Sequence, residues 1–396
     1  MTPHDDDRRP VLEAGRPKRL EIIQRLQDQR KSRVVTLLIS DRRELSGNLA
    51  QDILPPFCRV VDGIVEAEPG LRNLDLWIYG PGGQLDPVCA IHGYLNNKLP
   101  KECKVNVLVP YRCMSALTFL TFGADRVLMG DMGQLSPIDA QVNLRKKGGI
   151  VKSFSVEDVK SLFQFAKELL GVEDGAESLR PVMSRLLNEI NPSVVGMVRR
   201  VIEHSKVVGT TLLQKHHQQN PATNSSGKQL KEIVDSFSSL HGTHGHPIFC
   251  QDARNLGLEF VEKGDSQTCK TMWELYESYS EDLDLERQFL GKEVWNGLNP
   301  PPQERVVFKN TCLALLETEK QLWAFMQDLV LSRQVHGNVN IPVQVHLPPA
   351  PAEPQQQQLL QAAVQQGLEA QIRAARQTLP YRVVPGVQNA GWTRIC

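Results

Sequence analysis

"VNVLVPYRCMSALTFLTFGADRVLMG", residues 105–130, holds an apolar run, a break from Pro110 to Met114, a second apolar segment opening on Ser115, and a further run ending at Gly130. The runs "KVNVLVP" (104–110) and "DRVLMG" (125–130) are short and largely apolar, so each reads as a strand buried on both faces. Between them "SALTFLTFGA" has the length of a short helix. Upstream, "RVVTLLIS" (33–40) and "LDLWIYG" (74–80) repeat the strand pattern. They are separated by the helix-length segments "NLAQDILPPFCRVVDGIVEAEPG", interrupted by Pro55 and Pro56, and "LDPVCAIHGYLNNKL", with Asp86 as its expected N-cap. Strands alternating with helices in this way indicate parallel βαβ units in an α/β layered fold.

Outward from that core, residues 1–16 are polar and expected to fray. "PKRLEIIQRLQDQR" predicts a helix starting at Pro17, with Leu20, Ile22, Ile23 and Leu26 on one face. After residue 152 helices are predicted over "SVEDVKSLFQFAKELLG", over "NPSVVGMVRRVIEHSKVVGTTLLQKH" with Pro192 in its first turn, and over "QLKEIVDSFSSL" beyond a polar loop at 217–228. The stretch 263–345, with Trp273, Trp295 and Trp323, reads as mostly helical. A Pro- and Gln-rich linker (347–358) and a last helical pattern, "LLQAAVQQGLEAQIRAARQ", follow. The expected organisation is an N-terminal polar segment and helix (1–30), a core (31–262), a helical extension (263–346), and a linker with a C-terminal helix or tail (347–396).

With 396 residues the chain is longer than one ordinary domain. Its 45 basic residues balance 45 acidic ones, so bulk charge advertises neither nucleic acid nor an anionic membrane as partner. The cluster Arg145, Lys146, Lys147 is too short for a nucleic-acid stripe. None of the eight cysteines falls in a CxxC pair, which suits reduced thiols. The opening residues are too polar for a secretory signal, and the most apolar window carries Asn106 and Arg112, which argues against a transmembrane segment. A cytoplasmic location is the expectation.

Two features place chemistry at strand ends. In "WIYGPGGQLDP" (77–87) a strand runs into Pro81-Gly82-Gly83, where paired glycines allow unusual backbone angles and expose bare N–H groups; a tight βα turn is the plain alternative. Ser115 stands at a strand-to-helix turn, where it could cap the helix or act as a nucleophile with the Ala116 N–H stabilising an oxyanion. Cys113 reads as a packed thiol. A nucleophilic serine needs a base, and no histidine occurs between 93 and 203. Lysines at 146, 147, 152 and 160 are the local alternatives, and spacing does not choose among them. His241, His244 and His246 lack carboxylate or thiol companions at metal-site spacing, so neither a metal nor another cofactor is expected.

"IYGPGG", "VPYRCMSALTFLTFGADRVLMG" and "LSPIDAQV" resemble the serine dehydrogenase proteinase family, signal peptide peptidase A-like proteins of the Clp protease/crotonase superfamily. Pro110, Met114, Ser115, Ala116, Thr118, Ala124, Asp125, Met129, Leu135, Pro137, Asp139 and Gln141 fall on the family pattern, and "GTHGHPIFCQDARNLGLEF" (242–260) extends the likeness. Leu117, Cys113, Ser136 and Ala140 depart from it, Leu117 and Ser136 at glycine positions. The resemblance implies a Clp protease/crotonase-like layered fold and an ATP-independent serine peptidase with a Ser/Lys dyad. Ser115 would be the nucleophile, Lys152 in "GGIVKSF" the base, and Gly82, Gly83 and Ala116 the oxyanion hole. It further implies a peptide or protein substrate and a homo-oligomer. Two alternatives stand beside it: an inert crotonase-like scaffold, and acyl-CoA chemistry on the same fold.

Overall fold

The computed structural model describes residues 7–138, 141–145, 151–155, 168, 184, 192–219, 230–239, 245–298, 304–335, 360–371 and 381–396. They fall into two compact units. The larger comprises Arg9–Arg287, Cys312–Phe325 and Gly391–Cys396, and the smaller Met1–Arg8, Gln288–Thr311 and Met326–Ala390.

Helix α1 (Arg8–Arg30) leads into β1 (Arg33–Ile39), and the short strands β2 (Asp41–Arg42) and β3 (Leu45–Ser46) form a hairpin after it. Then follow α2 (Leu54–Ala67), β4 (Asn73–Tyr79), α3 (Asp86–Lys98) and β5 (Lys104–Val109). Next come β6 (Arg112–Cys113), α4 (Ala116–Phe122), β7 (Arg126–Met129) and β8 (Gln134–Leu135). A hairpin of β9 (Gln141–Arg145) and β10 (Val151–Ser155) precedes α5 (Pro192–Gln219), α6 (Leu230–Ser239), α7 (Cys250–Leu256) and β11 (Val261–Lys263). Beyond these lie α8 (Ser266–Leu283), α9 (Gly291–Gly297), β12 (Arg305–Glu317), β13 (Leu322–Val335), a helical stretch at 360–371 and β14 (Tyr381–Arg394).

The main sheet has the order β11-β7-β5-β4-β1-β12-β13-β14. From β11 to β1 every neighbouring pair is parallel, with Thr36 opposite Trp77 and Val107 opposite both Leu76 and Val127; β12 joins β1 antiparallel, Leu37 opposite Leu316. The four apolar runs are thus the inner parallel strands. Alternation sorts their residues between two faces. Val35, Leu37, Leu76, Ile78, Val107 and Val109 join the large apolar core with Phe57, Ile91 and Phe119 of α2, α3 and α4. On the alternate register, Trp77 donates its indole N–H to the Met272 carbonyl of α8 at 3.3 Å, and the Thr36 hydroxyl meets that of Tyr279 at 2.7 Å.

That second face is polar at depth. Asp75 is fully buried and accepts from Asn106 Nδ2 at 2.7 Å, Ser32 Oγ at 2.8 Å and the Arg30 guanidinium. Arg19, also fully buried, pairs with Asp282 and, at 2.7 Å, with Glu317 of β12; its guanidinium lies 5.2 Å from the Tyr279 ring centre. Asn106, read above as an argument against a membrane span, is a partner of a buried carboxylate. No helix among the described residues is long and apolar enough to cross a membrane.

Several local expectations change. Helix α1 starts at Arg8, not at Pro17, which lies inside it. Packing explains this: Leu12 is fully buried, and Arg19 donates to the Leu12 carbonyl at 2.9 Å, so the proline's missing N–H is outweighed. Pro55 and Pro56 stand in the first turn of α2, where a backbone N–H has no helical acceptor, and do not interrupt it. Asp86 is the first helical residue of α3 and Leu85 its N-cap. Residues 263–396 are partly helical: α8, α9 and 360–371 are helices, whereas β12, β13 and β14 are long strands that the apolar pattern did not separate from helix. Apart from Glu168, the helix expected over "SVEDVKSLFQFAKELLG" beyond Ser155 lies outside the described residues.

Candidate active site

The carboxyl ends of β4 and β5 deliver two loops that bond to each other. Gly80 pairs with Cys113 in parallel sense: the Gly80 N–H donates to the Arg112 carbonyl at 2.8 Å and the Met114 N–H to the Gly80 carbonyl at 3.1 Å. Just beyond this lacing the chain turns into α4 through Ser115, at φ 54° and ψ −122°. A serine held at positive φ costs about 1–3 kcal/mol and persists only where its surroundings fix it. The Ser115 hydroxyl makes no capping bond to α4, so its position at the head of the helix is not an N-cap in the hydrogen-bonding sense. The side chain is half-buried at the carboxyl edge of the sheet.

Gly82 and Gly83, at φ 109° and 153°, run alongside this turn. The Leu49 N–H donates to the Gly82 carbonyl and the Gln84 N–H to the Leu49 carbonyl, both at 2.8 Å. A Cβ on Gly82 would stand 2.5 Å from the Ser115 Cβ and 3.1 Å from the Ala116 nitrogen, and one on Gly83 2.3 Å from the Leu49 backbone. Bare backbone is therefore pressed against the serine. Among the described residues, neither the Gly83 nor the Ala116 N–H donates to a protein acceptor.

Leu117 is fully buried in the apolar core, and a Cβ built on Gly80 would lie 3.2 Å from its Cδ1. Cys113 is likewise buried; burial pushes its thiol pKa well up, and its Sγ donates to the Leu117 carbonyl at 3.3 Å. It is a packed thiol, as its apolar surroundings in sequence suggested. Sequence reasoning missed the role of Ser136. This fully buried hydroxyl accepts the Ser115 N–H at 2.7 Å, and the only signal for it was a serine where the family pattern has glycine.

Lys152 lies on β10 opposite Leu144 of β9; its side chain, with those of Lys146, Lys147 and Lys160, lies outside the described residues. Ile150 is also outside them, as are the side chains of Val151 and Phe154. His241 and His244 fall outside as well, and His246 is exposed. Among the described residues no group of three or more His, Cys, Asp or Glu is arranged to hold a metal. Of the other described histidines, His92 is buried with Nε2 3.2 Å from the Leu120 carbonyl, and exposed His204 lies 3.3 Å from Asp86.

Residues 12–165, which contain the strained serine and the glycine pair, match the family described as ClpP-like SDH-type serine proteinases. The match covers less than half of the chain. The main sheet with its flanking helices is accordingly a ClpP-like layered α/β fold. The uncharacterized protein MJ0137 of Methanocaldococcus jannaschii is 23% identical over 263 residues, which cover 65% of this chain and 78% of that protein. Among solved structures, a serine-to-alanine mutant of the 1510-N membrane-bound stomatin-specific protease is 12% identical, with a TM-score of 0.34, covering 57% of this chain and 80% of its own. A lysine-to-alanine mutant of the same protease, in complex with a substrate peptide, is also 12% identical, with a TM-score of 0.32, covering 54% and 70%.

Proposed function

We propose that the protein is a serine peptidase in which Ser115 attacks a peptide carbonyl, Lys152 is the general base, and Gly82, Gly83 and Ala116 frame the oxyanion hole. The observation that carries the reading is the strained Ser115 turn pressed against Gly82, inside the segment that matches a serine-proteinase family. A neutral Lys152 Nζ takes the hydroxyl proton as Ser115 Oγ bonds to the carbonyl carbon. The carbonyl oxygen becomes an oxyanion, held by the unengaged N–H groups of Gly83 and Ala116. Collapse expels the amine with the proton from Lys152 and leaves an acyl-enzyme. Water, deprotonated by the same lysine, then releases the acid.

A fluorophosphonate probe tests both side chains. Wild type should become labelled at Ser115, Ser115→Ala should not, and Lys152→Ala should label at least about 100-fold more slowly while keeping its circular dichroism spectrum. Labelling of Ser115→Ala equal to wild type would exclude Ser115, and an unchanged rate in Lys152→Ala would require another base. Peptides whose abundance differs between cells carrying wild type and Ser115→Ala would define the substrate.

A further inference from the structure

The Ser115 turn is fastened from below by two buried hydroxyls. Ser136 Oγ accepts the Ser115 N–H at 2.7 Å and donates its own proton to the Pro137 carbonyl at 3.0 Å, so its orientation is set from both ends. Thr118 Oγ1 donates to the Cys113 carbonyl at 2.9 Å and accepts the Ser136 N–H at 3.3 Å. The Thr118 N–H in turn donates to the Ser115 carbonyl at 2.9 Å. Both side chains are fully buried. Together they tie the backbone on each side of the one residue in this turn that holds a positive φ without being glycine.

We propose that Ser136 is a positioning residue for the peptidase reaction: its hydroxyl engages the Ser115 N–H, holds the strained turn, and so aims the nucleophile. This rests on the reading of Ser115 as nucleophile. It also divides the labour among the amides at the site. The Ser115 N–H is committed to Ser136 and is withdrawn from the oxyanion, which leaves that task to Gly83 and Ala116. Glycine at position 136 would have no acceptor to offer the Ser115 N–H. The clamp is therefore a property of this chain's own side chain. Without it the turn relaxes toward ordinary backbone angles and Ser115 Oγ moves from its line of attack, while the surface that receives the probe is untouched.

The test is the kinetics of fluorophosphonate labelling in wild type, Ser136→Ala and Ser136→Gly, resolved into the maximal rate and the half-saturating probe concentration. Glycine serves as the second variant because it removes the acceptor hydroxyl together with the Cβ. Both substitutions should lower the maximal rate roughly 10- to 100-fold, the scale of a nucleophile displaced by about 1 Å, with the half-saturating concentration unchanged. Amide exchange at Ser115, followed in the same proteins below their melting temperatures, should accelerate. Equal maximal rates in all three proteins, or a change confined to the half-saturating concentration, would overturn the positioning role and leave Ser115 as nucleophile. Wild type that fails to label at all would overturn the nucleophile reading, and this inference with it.

Discussion

Gly82 and Gly83 occupy the same turn but answer to different neighbours. The nearest atom to a Cβ on Gly82 would be the Ser115 Cβ, at 2.5 Å, whereas on Gly83 it would be the backbone of Leu49, at 2.3 Å. Both substitutions also force a side chain onto a positive φ, worth about 1–3 kcal/mol of strain. The Leu49 backbone is bonded on both sides of Gly83 and has little freedom to retreat. Gly83→Ala is therefore expected to lower the melting temperature more than Gly82→Ala. Gly82→Ala should cost more fluorophosphonate labelling per degree lost, because it displaces the serine itself. Thermal unfolding and labelling of the two variants would check the ordering; equal labelling losses at equal stability would contradict it. The glycine pair and the serine could be read in the sequence because few other residues serve a tight approach at a strand end. The backbone angle of Ser115 and the bond from its N–H to Ser136 could not, since both arise from pairing between segments that meet only in the folded chain.

The elements show where local pattern is decisive and where it is mute. Strands β1, β4, β5 and β7 stand out as short apolar runs bounded by turns because both of their faces are covered. β12, "RVVFKNTCLALLE", ends in an unbroken apolar stretch that a helix would carry equally well, and Asn310 at φ 54° interrupts its alternation. Its closing residue, Glu317, is fully buried and is the partner of Arg19 on α1. The same cluster has a pH consequence. Burial raises the Asp282 carboxyl from 3.8 to about 6, against the opposing pull of Arg19 and Lys18 and with the added push of Glu281 and Glu317. A carboxyl whose folded-state pKa is raised binds its proton more tightly in the native state. Its contribution to stability is greatest below 3.8 and is lost as pH rises through about 6. Chemical unfolding of wild type and Asp282→Asn should diverge across that window by roughly 1–2 kcal/mol, reduced by solvent screening of a partly exposed carboxyl, with the wild type alone losing this component as pH rises. Parallel curves from pH 4 to 7 would remove Asp282 from the account.

At the scale of the molecule, the resemblance read in the sequence suggests a core ending near residue 262, whereas the family match itself covers residues 12–165. The larger compact unit does not end at residue 262: it takes in Cys312–Phe325 and Gly391–Cys396. From these later residues comes the strand that covers β1, with Thr36 opposite Glu317 and Ile39 opposite Ala314. They also supply the carboxylate that neutralises buried Arg19, and α8 before them supplies Tyr279 and Asp282. Removing one partner of a buried ion pair costs about 3–5 kcal/mol, a large share of the 5–15 kcal/mol by which domains are stable. An uncovered apolar β1 would in addition be an open edge for aggregation. A chain shortened to residues 1–262 should therefore be insoluble or lack cooperative unfolding, although it keeps Ser115 and the glycine pair. Size-exclusion chromatography and thermal unfolding of the shortened chain beside the full one make the comparison. A monodisperse, cooperatively melting 1–262 fragment would show that β12 and α8 are accessory to the core and not built into it.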